Sequence, residues 1–240
     1  FSVSKKVVSK MLAGELDAKG AYDEYNRLIT ASANQEKTET FFTQKTAYTD
    51  HFGEHGSPAA SSFVNTLLAA NGREIAIAYG TVVTEPIYQG DYSLQQFKWL
   101  TSSKTDVYFA QYTGAEIRQA MEWLVNVKEN GVNPVRYNKL LPITGGMTYT
   151  VRKVAHGEYE LVDLTVDGQP LDENKVYKVL MVGSKTLMEH ADYFNNPIPE
   201  ALDAKREDAR MGYGDIQLYV DSVAAFGQLL EPADYVTILK

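Results

Sequence analysis

The stretch "KTDVYFAQYTGAEIRQAMEWLV" constrains the fold of this chain more tightly than any other. Its first ten residues read as an apolar strand. Thr113-Gly114-Ala115-Glu116 has the spacing of a capping box, in which threonine and glutamate satisfy each other's backbone donors at a helix start. Behind it Ile117, Ala120, Met121, Leu124 and Val125 recur at i, i+3 and i+4, a stripe that stops near Asn130-Gly131. A strand that turns at once into an amphipathic helix predicts a sheet with a helix laid on it.

The remaining patterns are compatible with that layer. Ser57 followed by Pro58 predicts a helix N-cap with proline at the first helical position, opening a helix that stops at Asn71-Gly72. "EIAIAYG" is then a short apolar strand, "DYSLQQFKWL" a short helix, and "GGMTYTVRKV", "EYELVDLTVDGQPL" and "KVYKVLMVGS" are strands, the middle one folding back at Asp167-Gly168. "GDIQLYVDSVAAF" predicts an amphipathic helix and "DYVTIL" a closing strand. Ahead of all this, Val7, Val8, Met11, Leu12 and Leu16, and after Gly20 the set Ala21, Tyr22, Tyr25, Leu28 and Ile29, follow a 3.6-residue period: a helical hairpin. Residues 31 to 46 have no sustained apolar face and read as a linker. The expected organisation is a helical hairpin and linker over 1–46 and one domain over 47–240, although the hairpin packing directly on that domain fits the pattern as well. The fold class is mixed α/β (α+β), a mixed and partly hairpin-joined sheet flanked by helices.

Charge and composition exclude several functions. A net charge of -8 over 240 residues, with no cluster of Lys and Arg, argues against nucleic acid as a partner. The absence of cysteine excludes disulfides, thiolate metal sites and a cysteine nucleophile. No run of about 18 apolar residues is present to span a membrane. Sixteen tyrosines fit sheet packing better than a sugar or nucleoside surface. The chain begins with Phe1 and shows no signal peptide, which reads as a processed protein or a piece of something longer.

One motif demands a test. "HFGEH", residues 51 to 55, matches H-x-x-E-H, the pattern in which two histidines one helical turn apart hold zinc and the glutamate activates water. That chemistry needs one continuous helix through both histidines, yet Gly53 sits at its centre, Gly56 follows, and a new helix is capped at Ser57. Only His156 and His190 remain as a third histidine ligand. A zinc hydrolase built on His51 and His55 is therefore the weakest reading, and Glu54 near a helix N-terminus the simpler one. No G-x-S-x-G elbow, phosphate loop or dinucleotide fingerprint is present, so no catalytic residue and no metal ligand is assigned. The alternating charges of "EALDAKREDAR" read as a solvated helical face.

Several stretches resemble the C-terminal domain of the 5'-nucleotidase (2',3'-cyclic-nucleotide phosphodiesterase) family, over roughly residues 47 to 240. Gln89-Gly90-Asp91-Tyr92-Ser93 is similar to the family's x-G-D-[IY]-[ST] step, and Tyr112 to Ile117 to its [LT]-T-G-x-E-[IL] helix start. "LLPITGGMTYTV" is similar to its F-x-Q-[VI]-[SA]-G-[LM]-x-[FY]-x-[VY] strand. "LVDLTVDGQPLDENKVYKVLMVGS" is similar to its V-x-V-x-G-x-P-[LI]-[DN]-x-x-[KR]-x-Y-[KR]-V hairpin, the most specific piece. "FGEHGSPAASSFVNTLL" resembles the stretch that opens the domain, which would make Glu54 a framework residue.

The resemblance implies a domain that recognises a nucleotide or nucleoside, or another small molecule, while a metallophosphatase domain of the same polypeptide holds a divalent metal pair and hydrolyses the phosphoester. No D-x-H or G-N-H-[DE] motif of that domain occurs here, so this chain would carry no cofactor and be inactive alone. It also implies a secreted, periplasmic or cell-surface location in a bacterium. The family's N-G-G-x-[IV]-R loop aligns with Tyr79 to Thr84, so Thr84 stands where the phosphate-binding arginine is expected. Leu140 stands where one base-stacking aromatic falls, and "LMEHADYF" replaces the G-G-D-G-[YF] loop that carries the other. The ligand candidates are Tyr79, Gly80, Thr84, Leu140, Gly145, Asp192, Tyr193 and Phe194. A non-catalytic surface module that uses Tyr79, Tyr88, Tyr193 and Phe194 for another ligand or a protein is the alternative.

Overall fold

A computed structural model of the chain describes residues 2–48, 57–78, 83, 86–101, 107–125, 141–154, 158–182, 206–210 and 213–239. It opens with the expected helical hairpin, α1 (Ser2–Leu12) and α2 (Ala18–Thr38), clamped by a 2.9 Å ion pair from Lys10 to Glu24. Residues 31 to 46 are not an irregular linker: α2 continues to Thr38, and Thr40–Gln44 forms strand β1. Tertiary packing overrides the polar composition here. Lys98 Nζ reaches Glu36 at 2.9 Å, and the Phe42 ring stacks on Tyr92 at 4.9 Å and meets Phe97 edge-on at 5.8 Å.

Among the described residues the strands form three sheets. β1 pairs with β3 (Gly90–Ser93), a strand where the sequence pattern predicts the start of the short helix, which here is α4 (Leu94–Leu100). Ser93 divides the two, accepting the Gln96 N–H in a capping box. The five-stranded sheet runs β10 (Arg206–Arg210), β4 (Val107–Thr113), β9 (Val176–Val182), β2 (Ile75–Ala78), β5 (Ile143–Gly145). Only the β2–β9 pair in it is parallel. The four-stranded sheet runs β11 (Val236–Leu239), β6 (Met147–Lys153), β7 (Tyr159–Val166), β8 (Gln169–Pro170). Asp167 (φ 52°) and Gly168 (φ 72°) supply the two left-handed residues that close the β7–β8 turn, as the Asp-Gly pair predicts.

Two further strands depart from the sequence expectation. Arg206–Arg210 is an edge strand beside β4 rather than a helical face; charged residues suit an edge, where they discourage pairing with another chain. Ile143–Gly145 is only three residues long, too short to show a period.

The mixed α/β layering is as expected. α5 (Gly114–Val125) lies between β4 and β7 and buries Ile117, Met121, Leu124 and Val125. The capping box is present: Glu116 accepts the Thr113 N–H at 2.8 Å, and Thr113 Oγ1 accepts the Glu116 N–H at 3.3 Å. α3 (Pro58–Asn71) packs on β2, β5 and α6 (Tyr213–Phe226). Its apolar side buries Phe63, Val64 and Leu67, while its serine and threonine side is buried too. Those hydroxyls bind the segment leading into β11: Ser61 Oγ donates to the Ala233 carbonyl at 2.7 Å and accepts the Ala233 N–H at 3.0 Å. Ser62 Oγ donates to the Leu230 carbonyl, and Thr66 Oγ1 accepts the Leu230 N–H at 2.9 Å. Polar groups can be buried on α3 because each has a partner.

Candidate functional site

The five-stranded sheet has two unlike ends, and its register tells them apart. Ala78 pairs with Val182 and with Ile143, Val182 pairs with Val107, and Val107 with Arg210. These five residues form one row across the sheet. The carboxyl ends of the parallel neighbours β2 and β9 lie side by side in it, at Ala78 and Val182. In open α/β sheets, ligands bind beyond the carboxyl ends of strands, where chains leave neighbouring strands in different directions.

Every ligand candidate except Gly145 belongs to a segment that joins the sheet in this row. Tyr79, Gly80 and Thr84 follow Ala78; Leu140 precedes Leu141 and the strand that starts at Ile143; Asp192, Tyr193 and Phe194 follow Val182. All seven lie outside the described residues. What the described residues contribute is the frame on either side of them. Leu141 is buried, and Val83, also buried, makes an antiparallel bridge with Thr101. Ala78, Val182 and Val107 are buried, so the base of this end is apolar.

Gly145 is placed differently. It pairs with Ala76, two positions down the sheet from the row. A Cβ on it would come within 2.9 Å of Asn65 Oδ1 and 3.3 Å of a Leu68 methyl, so glycine is required here for the close approach of α3. It also lines a cleft of about 220 Å³ with Asn65, Gly146, Thr148, Thr165 and Asp167. The Thr148 and Thr165 hydroxyls in that cleft are bonded to each other, and Asn65 Nδ2 donates to the Glu231 carbonyl at 3.2 Å.

The opposite end of the sheet is closed. Gly114 N–H donates to the Lys175 carbonyl at 2.9 Å and Ala115 N–H to that of Glu173 at 3.0 Å, which docks the start of α5 on the turn before β9. Glu74 N–H donates to the Lys178 carbonyl and the Glu74 carboxylate accepts the Lys178 N–H, both at 2.9 Å. Lys175 Nζ completes the group, 2.8 Å from Glu74. That ion pair and the backbone donor hold the Glu74 carboxyl below the usual carboxylate range.

Two buried phenols support the same core. Tyr149 donates to the Pro142 carbonyl at 2.6 Å, and Tyr235 accepts the Ser57 N–H at 2.9 Å. Burial pushes Tyr149 well above the ordinary phenol value and Tyr235 up to about 12. The Tyr235 bond helps to set the first turn of α3, where Ser57 is extended (φ -105°, ψ 111°) and accepts the Ala60 N–H at 3.3 Å. The helix therefore begins at Pro58, after the H-x-x-E-H residues, as the sequence predicts. His51, Glu54 and His55 lie outside the described residues, as do His156 and His190. Among the described residues no three His, Cys, Asp or Glu side chains come together to hold a metal ion. No described helix is long and apolar enough to cross a membrane.

Comparison with known proteins agrees with the layering. A model of the 5'-nucleotidase, C-terminal domain, matches residues 29–195. No curated protein matches in sequence. Among solved structures, NAD nucleotidase from Haemophilus influenzae superposes with a TM-score of 0.66 at 15% identity, over 94% of this chain and 42% of its own. A 5'-nucleotidase precursor from Thermus thermophilus gives 0.62 at 17% identity, over 93% of this chain and 43% of its own. Sulfate thiohydrolase from Thermus thermophilus gives 0.59 at 16% identity, over 95% and 40%. At such identities the likeness is one of fold. The chain spans about two fifths of the length of these structures.

Proposed function

The chain belongs to the 5'-nucleotidase C-terminal domain family, and from that premise we propose that it is the ligand-recognition part of a longer, exported bacterial protein of this family. Its ligand is a nucleotide or nucleoside. The observation that carries the reading is the row Arg210–Val107–Val182–Ala78–Ile143, since the segments bearing seven of the eight ligand candidates join the sheet there.

In this proposal Tyr193 or Phe194 stacks on the base, Tyr79 and Gly80 flank it, and Asp192 hydrogen-bonds a polar edge. Gly145 serves the packing of α3 instead of the ligand. Phosphoester hydrolysis belongs to a metallophosphatase domain of the same polypeptide, which supplies the divalent metal pair. The role left to this chain is to bind and orient.

Thr84 in the place of the family's arginine favours a second reading, a non-catalytic surface module that takes a ligand without phosphate, or a protein. Isothermal titration calorimetry separates the two. Adenosine and AMP are expected to give saturable heat, with affinity lowered about ten- to hundredfold by Tyr193→Ala, in line with about 1–3 kcal/mol for a base–aromatic stack. No heat at millimolar ligand would overturn the nucleotide reading in favour of the second.

A further inference from the structure

The helical hairpin leaves one of its faces uncovered, and the helix geometry puts the exposed apolar residues of both helices on that face. Val7 in α1 and Ala21 in α2 are buried, and α1 packs on α2 alone among the major contacts, so these two residues mark the inner direction of each helix. At about 100° per residue, Val8, Met11 and Leu12 lie roughly 40 to 140° round from Val7. Tyr22 and Tyr25 lie roughly 40 to 100° round from Ala21 in the same sense. The helices are antiparallel, joined by five residues and pinned by Lys10 to Glu24 across the turn. Equal rotation on antiparallel helices points to the same side of the pair.

Exposure agrees with the geometry. The residues farther round are more exposed (Leu12 85%, Tyr22 68%, Val8 51%) than those nearer the inner line (Met11 43%, Tyr25 39%). A contiguous exposed patch of this kind marks an interaction surface more often than chance.

We propose that this face is a self-association surface, on which a second copy of the chain docks its own hairpin to make a four-helix bundle about a two-fold axis. Two observations select a second copy. Residues 1–39 hold six Lys or Arg and six Asp or Glu, so the net charge of -8 lies entirely in residues 40–240. The neutral hairpin is where two copies of an acidic protein approach with the least repulsion. A two-fold contact also needs a self-complementary patch, which an apolar face without a dominant charge provides. Covering the exposed parts of the five side chains on both copies removes roughly 1,000 Å², the lower edge of specific interfaces, so the association is weak and reversible.

Sedimentation velocity of the 240-residue chain over a concentration series tests this. A monomer–dimer equilibrium with a midpoint on the order of 10–100 micromolar is expected. Leu12→Glu and Tyr22→Glu should each shift it at least tenfold toward monomer, while the charge-conserving Lys6→Arg, on the opposite side of α1, should leave it unchanged. Circular dichroism checks that the variants keep their helix content. A monomer at every concentration up to 1 mM would overturn the proposal and leave the face to another part of a longer polypeptide. A dimer indifferent to both glutamate substitutions would overturn it by placing the contact elsewhere.

Discussion

The two ends of the five-stranded sheet are built differently. At the end near Glu74, β4 runs directly into α5, and Gly114 and Ala115 bond the turn before β9. Glu74 joins Lys175 and Lys178 across the β2–β9 boundary. At the other end longer connections leave Ala78 and Val182 and another arrives at Ile143, while only two residues separate Arg210 from α6; seven of the eight family-derived ligand candidates lie in those longer connections. Backbone donors and acceptors used up in closing one end cannot bind a ligand, which supports the proposal that recognition lies at the other.

Substitutions at the closed end should therefore cost stability and spare recognition. The largest effect is expected at Gly114, where a Cβ would overlap the Asp172 carbonyl oxygen and come within 2.8 Å of the Glu173 Cα. Gly114→Ala should destabilise by about 3 kcal/mol or more in urea unfolding, because backbone on both sides has to shift.

An alkaline titration should give the next largest effect. Tyr235 has its folded pKa raised to about 12, against about 10 when unfolded, so the folded state keeps a proton that the unfolded state gives up in between. Stability is then full below pH 10 and falls as pH rises from 10 to 12. The loss should be about 2–3 kcal/mol from this group. Tyr235→Phe should remove this group's share of the slope in a thermal-melting pH profile, leaving that of Tyr149, at the cost of the bond from the Ser57 N–H.

The smallest stability effect is expected at the open end. Tyr193→Ala should change unfolding free energy by less than about 0.5 kcal/mol while lowering nucleotide affinity. A stability loss as large as that of Gly114→Ala would erase the contrast between the two ends.

The same contrast explains how much was legible in the sequence. Thr113 to Val125, Ser57 to Gly72 and the Asp167-Gly168 turn carry local signals that act within a few residues, namely a capping box, an N-cap with proline and a left-handed pair. All three form as their residues predict. β1 and β10 depend on partners far along the chain, β3 and β4, and a polar or charged composition conceals them. The doublet Phe41-Phe42 was the available hint for β1, since two aromatics in a polar stretch need somewhere to pack. For the site, motif resemblance supplied the candidate residues but not their relation to one another. Only the strand register brings residues 78, 107, 143, 182 and 210 into one row. At Gly145 the structure adds a reason the motif did not carry: the approach of α3 leaves no room for a Cβ.

Amide chemical-shift mapping by heteronuclear NMR during titration with AMP compares the two ends in one experiment. Perturbations are expected to gather at Ala78, Val107, Leu141, Ile143 and Val182 and to spare Glu74, Gly114 and Lys175. Shifts centred on Glu74 and Lys175, or on the cleft lined by Asn65 and Asp167, would contradict the assignment of recognition to the open end of the sheet.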